Sequence, residues 1–270
     1  MLFSFNVVLT LWPEIFGLPD ATAAVKVSFL SVAIWWALFS LPLLIVFRET
    51  PPPERVAGWA AVNAGFAQLT GTFRAVRHMR VVFVFLVAYW LYIDGVHTII
   101  RMAIDYGLAI GLDANDLIVA LLLTQFVGFP AALVFGRLGE RIGAKTGILI
   151  GLGVYIFVSV WGYFMRESWE FYVLAGTIGL VQGGVQALSR ALYARLIPAN
   201  KSGEFFGFYN MLGKFAAILG PLIMGVVSVV TGDPRLSILA IIVLFVAGGA
   251  LLMAVDERDG VERAQALARG

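Results

Sequence analysis

Apolar residues along this chain gather in long blocks rather than in the alternation of a half-buried strand. A helix needs about 20 mostly apolar residues to cross a hydrocarbon core about 30 Å thick. Seven blocks reach or approach that length: Lys26 to Phe47, Val81 to about Asp105, Leu117 to Phe135, Thr146 to Met165, Phe171 to about Leu196, Phe205 to Val230 and Leu236 to Val255. The opening run Met1–Trp12 is too short to cross by itself and leads into the loop-like segment Pro13–Asp20. It reads as the tail of a truncated helix, with an interfacial segment or a wrongly chosen start codon as the alternatives.

One stretch has a different rhythm. After Pro51-Pro52-Pro53, the residues Val56, Trp59, Val62, Phe66, Leu69, Phe73, Val76 and Met79 recur at steps of three or four, with Arg74, Arg77 and Arg80 towards the end. That period predicts an amphipathic helix lying on the membrane surface. A plain solvated connector is the other reading.

Composition agrees with a membrane chain. Hydrophobic residues make up 60% and charged ones 13%, and the mean hydropathy is +0.91. A soluble domain of this length could not bury so much apolar surface in one core. With no cysteine, neither a disulfide framework nor a thiolate metal site is available, and no cofactor is expected. A net charge of +2 with scattered basic residues gives no nucleic-acid patch. Placing the Arg48–Arg80 loop in the cytoplasm puts thirteen basic residues inside: Arg48, Arg55, Arg74, Arg77, Arg80, Arg137, Arg141, Lys145, Arg195, Lys201, Arg258, Arg263 and Arg269. Only Lys26, Arg166 and Arg235 fall outside, so a cytoplasmic C-terminus is expected.

The polar residues within the blocks carry the functional signal, because a charge or amide in the membrane is costly unless it faces protein or water. Val27–Phe47, Thr146–Met165 and Leu236–Val255 hold no acidic, basic or amide side chain. Every third block is therefore clean, the pattern of lipid-facing buttresses around a cavity lined by the others. At about 1.5 Å per residue, Asp94, Gln125, Gln182 and Lys214 all fall roughly 13–20 Å deep. Asp94, His97, Thr98, Arg101 and Asp105 share one helical face, Gln182, Gln186, Ser189 and Arg190 a second, and Asn210 and Lys214 a third. These faces are candidates for a solute and coupling-ion pathway. Duller roles compete: an interfacial Arg101–Asp105 pair, a snorkelling Arg190, a structural His97, or mutual neutralisation of Asp94 and Lys214. Gly179, Gly183 and Gly184 thin one helix, while Gly128 with Pro130 and Gly220 with Pro221 are expected to interrupt two others.

The segment Gly136-Arg137-Leu138-Gly139-Glu140-Arg141-Ile142-Gly143-Ala144-Lys145 resembles the signature loop of the major facilitator superfamily. In a tight cytoplasmic turn its glycines permit reversal, and Glu140, Arg141 and Lys145 can hold helix ends in one conformation and release them in another. Glu140 stands where aspartate is commoner. A narrower resemblance, to the vacuolar-effluxer-like branch, is carried by Tyr92–Ile99, Gln182–Arg190, Gly203–Tyr209, Gly213-Lys214 and Gly220-Pro221. Tyr92, Ile93 and His97 depart from it where asparagines are expected near the aspartate.

The resemblance implies an all-α membrane fold of the major-facilitator type: one helix before the central linker, then a six-helix C-terminal half. The chain divides accordingly into 1–47, the end of an N-terminal bundle; 48–80, an amphipathic cytoplasmic linker; 81–255, the C-terminal bundle; and 256–270, a cytoplasmic tail. It also implies a secondary active transporter working by alternating access, with efflux or exchange of small polar solutes such as amino acids. Its expected partners are a small-molecule substrate, a coupling ion (a proton, through Asp94), the lipid bilayer of a bacterial inner membrane, and a missing N-terminal half. Two other readings remain open: a non-transporting or split half-transporter that needs a partner half, and an integral-membrane enzyme. The two histidines and the lack of metal-ligand spacing argue against the enzyme.

Overall fold

The computed structural model describes residues 2–46 and 58–269. Arg48, Pro51–Pro53, Arg55 and Val56 of the expected linker lie outside the described residues. Every regular element among those described is helical. In chain order they are α1 (Leu2–Leu11), α2 (Ala21–Val46), α3 (Trp59–His78), α4 (Arg80–Ala109), α5 (Ala114–Ile142), α6 (Ala144–Phe164), α7 (Ser168–Leu196), α8 (Ser202–Phe215), α9 (Leu219–Thr231), α10 (Pro234–Ala240), α11 (Ile242–Met253) and α12 (Glu257–Arg269). Seven spans among them are long and apolar enough to cross a membrane, with α8–α9 and α10–α11 each forming one interrupted span. The architecture is an all-α bundle of the major-facilitator type.

Two compact units divide the chain, Met1–Ala61 and Val62–Gly270. In the first, α1 packs on α2, and Ser31 Oγ donates to Asn6 Oδ1 across the pair at 2.9 Å. The turn between them ends on Gly17 at φ 71°, and the Asp20 carboxylate accepts from the Ala23 amide at 2.7 Å to start α2.

The second unit is built around α4, whose Phe85, Tyr92, Ile93 and Val96 are fully buried. Small residues bring the neighbouring helices close. A side chain at Gly248 of α11 would meet the Tyr92 backbone nitrogen at 2.9 Å. One at Gly184 of α7 would lie 2.3 Å from the Phe135 ring of α5. Close approach replaces the hydrophobic drive that lipid-embedded helices lack. An aromatic column, Phe85–Tyr193–Tyr209–Tyr89, fills the interior with centroid spacings of 5.8, 4.9 and 4.2 Å.

The structure departs from the sequence reading in three respects. Gly128 and Pro130 do not interrupt α5, which runs unbroken through both. The clean span α6 is not the least enclosed: 44% of its apolar window is buried against 17% for the polar-bearing α5. Lack of polar groups permits lipid contact without requiring it, and α6 uses its smooth surface to pack on α7, α10 and α11. Within the expected tail, residues from Glu257 onwards form a helix packed on α7 and α4, which the sequence reading did not anticipate. A side chain at Gly260 would meet Leu196 at 2.5 Å and Val81 at 2.9 Å.

Candidate functional site

The site begins with a broken helix. Between α8 and α9 the backbone leaves the helical path at Ala216–Ile218, so the first amides of α9 have no carbonyl one turn earlier to bond. The Leu219 amide donates to Asp94 Oδ2 at 3.0 Å and the Gly220 amide to Asp94 Oδ1 at 2.7 Å. Pro221 has no amide hydrogen. The Leu222 amide returns to the helical pattern by donating to the Ile218 carbonyl at 3.2 Å. Every amide of that first turn is thereby accounted for. A carboxylate is suited to the place, because it accepts two bonds and its charge meets the positive end of the α9 dipole. Asp94 is completely buried. A side chain at Gly220 would overlap Thr98 Oγ1 and sit 2.8 Å from Asp94 Oδ1, so only glycine lets the two elements meet. Thr98 Oγ1 donates to the Asp94 carbonyl at 2.7 Å and lies 3.3 Å from its Oδ1. On the other side of the break, His97 Nδ1 stands 3.3 Å from the Ala216 carbonyl oxygen, with Nδ1 the donor. One turn of α4 therefore holds both sides of the interruption.

Beside this clamp lies a polar cavity lined by Tyr89, Ile93 and His97 of α4, Gln186 and Arg190 of α7, and Tyr209, Asn210, Gly213 and Lys214 of α8. Each set recurs at the four-residue helical spacing, so three helices each present one strip to the same space. Arg190 Nη2 donates to Asn210 Oδ1 at 3.4 Å, and Arg190, Asn210 and Lys214 are exposed to the cavity. The strips are held from behind. Tyr92 Oη and Ser189 Oγ are 2.7 Å apart, with Ser189 Oγ donating to the Val185 carbonyl at 2.6 Å and so accepting from the tyrosine. Tyr193 Oη donates to the Phe205 carbonyl at 3.0 Å.

Comparison with known proteins gives this geometry its family. The family described as "Vacuole effluxer Atg22 like" matches residues 5–265. The chain belongs to the Atg22-like vacuole effluxer family. It is 38% identical over 246 residues to the MFS-type transporter YxiO of Bacillus subtilis (strain 168), covering 91% of this chain and 57% of that protein. It is 26% identical over 277 residues to autophagy-related protein 22 of Yarrowia lipolytica, covering 92% and 47% respectively. For autophagy-related protein 22 of Coccidioides immitis the identity is 24%, with coverage of 92% and 46%. The chain thus spans about half the length of the curated relatives it matches. With seven membrane-length spans and relatives of this kind, it is a multi-pass integral membrane protein.

In this Atg22-like chain the polar residues read along α4 as one face serve two places. His97 reaches the cavity, while Asp94 and Thr98 point to the helix break. Gln186, Asn210 and Lys214 line the cavity, joined by Arg190, Tyr89 and Tyr209, the last two not singled out in the sequence. Their signal was available: Tyr89 lies four residues before Ile93 and eight before His97, on the same strip. Gln125, Gln182, Arg101 and Asp105 lie outside the cavity, with Gln125, Arg101 and Asp105 exposed elsewhere and Gln182 half-buried. Among the described residues Arg101 and Asp105 form no ion pair, nor do Asp94 and Lys214.

The Gly136–Lys145 motif also divides. α5 continues through Gly136, Gly139, Glu140 and Arg141, and the chain reverses only at Gly143, whose φ of 86° favours glycine. Gly139 serves close packing instead, since a side chain there would strike Leu188 at 2.2 Å. Lys145 alone holds a helix end. Its Nζ donates to the Met253 and Val255 carbonyls, both at 2.8 Å, closing the C-terminus of α11. Glu140 and Arg141 are exposed and make no ion pair among the described residues. At the opposite end Arg235 Nη1 holds the Tyr163 carbonyl at 3.0 Å and also the Met165 carbonyl, closing α6.

Proposed function

We propose that this chain forms one wall of a secondary transporter that moves small polar solutes, amino acids among them, by alternating access. The observation that carries the reading is the cavity lined by strips from α4, α7 and α8, where His97, Gln186, Arg190, Asn210 and Lys214 meet within membrane-length spans. Polar groups are retained at such depth where they face a solute path. The break between α8 and α9 lies beside the cavity and is held by hydrogen bonds rather than by a continuous helix, so it supplies a place to bend. The test is counterflow of labelled amino acids and other small polar solutes into proteoliposomes holding the full-length protein. Accumulation above protein-free vesicles supports transport, and none for any solute removes the reading.

Proton coupling is proposed through Asp94. Protonation would weaken its acceptance of the two α9 amides, linking a proton to the geometry of the break. Vesicles loaded with a pH dye should report proton movement during solute flux, and flux with a silent dye would remove the coupling. The topology proposed is a bacterial inner-membrane protein with a cytoplasmic C-terminus. Since the chain has no cysteine, Ala266→Cys and Asn115→Cys give clean probes. In intact cells an impermeant maleimide should label Asn115→Cys but not Ala266→Cys; the reverse pattern would invert the topology.

A second reading is favoured by the exposure of Arg190, Asn210 and Lys214: a second bundle supplies the facing wall, and the chain without it does not transport. Crosslinking of Lys214→Cys to an additional helical bundle in the assembled protein would support that arrangement.

A further inference from the structure

The cavity is rich in donors and poor in counter-charge, which bears on what it holds. Arg190 offers five N–H donors and commits one of them, Nη2, to Asn210 Oδ1. That bond spends the Asn210 carbonyl oxygen and leaves its amide hydrogens free for another partner. Lys214 stands one helical turn further along α8, with three more donors. Among the described residues no carboxylate lines the space. The ion pairs found there, Arg195–Glu257 and Arg263–Asp259, involve neither cation. Asp94 shares α4 with the lining residues but gives both oxygens to the α9 amides. Two uncompensated cations within membrane spans are costly unless water or a charged partner meets them. Next to them, Tyr89 and Tyr209, stacked with centroids 4.2 Å apart and themselves buried, border the same space.

Resting on the transporter reading above, we propose that Arg190 and Lys214 bind the anionic group of the solute, so that the solute carries a carboxylate or a phosphate held at this wall. Arginine grips such a group through its planar fork, and lysine adds a point charge. Asn210 positions the guanidinium between them.

The experiment measures the thermal unfolding midpoint of the full-length protein in nanodiscs of neutral lipid. Succinate, inorganic phosphate, L-leucine and L-leucinamide are added separately. At least one of the three anion-bearing probes should raise the midpoint, while leucinamide should not. Lys214→Gln and Arg190→Gln should each weaken that binding about tenfold or more, with the unliganded midpoint unchanged, and Lys214→Arg should keep it. Leucinamide acting as strongly as the anions would overturn the proposal. So would the absence of any anion effect, or binding that both glutamine variants leave intact. Stabilisation that appears only after phosphatidylglycerol is added would assign the cations to a lipid headgroup and overturn it as well. Counterflow of leucinamide in proteoliposomes would leave transport standing while removing the anion, which separates the two failures.

Discussion

Asp94 and His97 lie one turn apart on α4, yet the two regions they belong to are built on opposite terms. At the helix break the polar side chains of α4 are spent on the backbone: a carboxylate on two amides and a ring nitrogen on a carbonyl, with a glycine where a side chain would intrude. In the cavity next to it, Arg190, Asn210 and Lys214 are exposed, and one long hydrogen bond joins the first two. Buried polar groups that are fully satisfied make structure, whereas unsatisfied groups facing a void are available for a ligand. A polar residue at mid-depth is thus not by itself a sign of transport chemistry; what matters is whether its bonds are already spent.

Substitutions can break that contrast. Gly220→Val should be the most damaging, about 3 kcal/mol, because the new side chain drives into Thr98 and Asp94 and separates the clamp from the break. Asp94→Ala follows, at about 2–3 kcal/mol, since two buried amides lose a charged acceptor. Asp94→Asn should fall between alanine and wild type: one oxygen still accepts, but the amide nitrogen confronts a backbone N–H. Titration of the reconstituted proteins with SDS would rank the three. If Asp94→Asn is as stable as wild type, the carboxylate is not acting as a cap. The same comparison bears on proton coupling, because lost transport in Asp94→Asn counts for protonation only where the break remains intact. Tyr92→Phe should cost about 1 kcal/mol through its lost bond to Ser189, loosening the α7 strip that carries Arg190. Lys214→Gln should change stability by less than about 0.5 kcal/mol while reducing solute binding, the reverse of the clamp variants.

Much of this was legible in the sequence. The spans followed from block length, since a helix in lipid must satisfy its own backbone. Of the faces that four-residue spacing marked on α7 and α8, Gln186, Arg190, Asn210 and Lys214 line the cavity, whereas Gln182 and Ser189 do not. The direction of α4's polar face did not follow from spacing, because Asp94, His97 and Thr98 cover an arc wide enough to touch both the break and the cavity. Which residue faces which depends on where α9 starts, and that is a tertiary fact. Gly220-Pro221 did mark the interruption, whereas the similar Gly128 and Pro130 did not produce one. The difference lies across the interface: Asp94 stands ready to accept the amides freed at α9. The glycines of the Gly136–Lys145 motif suggested a loop because reversal and close packing draw on the same residue, and only Gly143 takes the positive φ that separates the two uses.

The helix α12 has a practical consequence. With Gly260 seated against Leu196 and Val81, and Glu257 paired to Arg195 at 2.8 Å, it is keyed to the ends of α7 and α4. A spin label or fluorophore on its exposed Glu262 or Gln265 would therefore act as a pointer attached to the bundle. A distance measured from it would record tilting of the helices that line the cavity, read from a position outside that cavity.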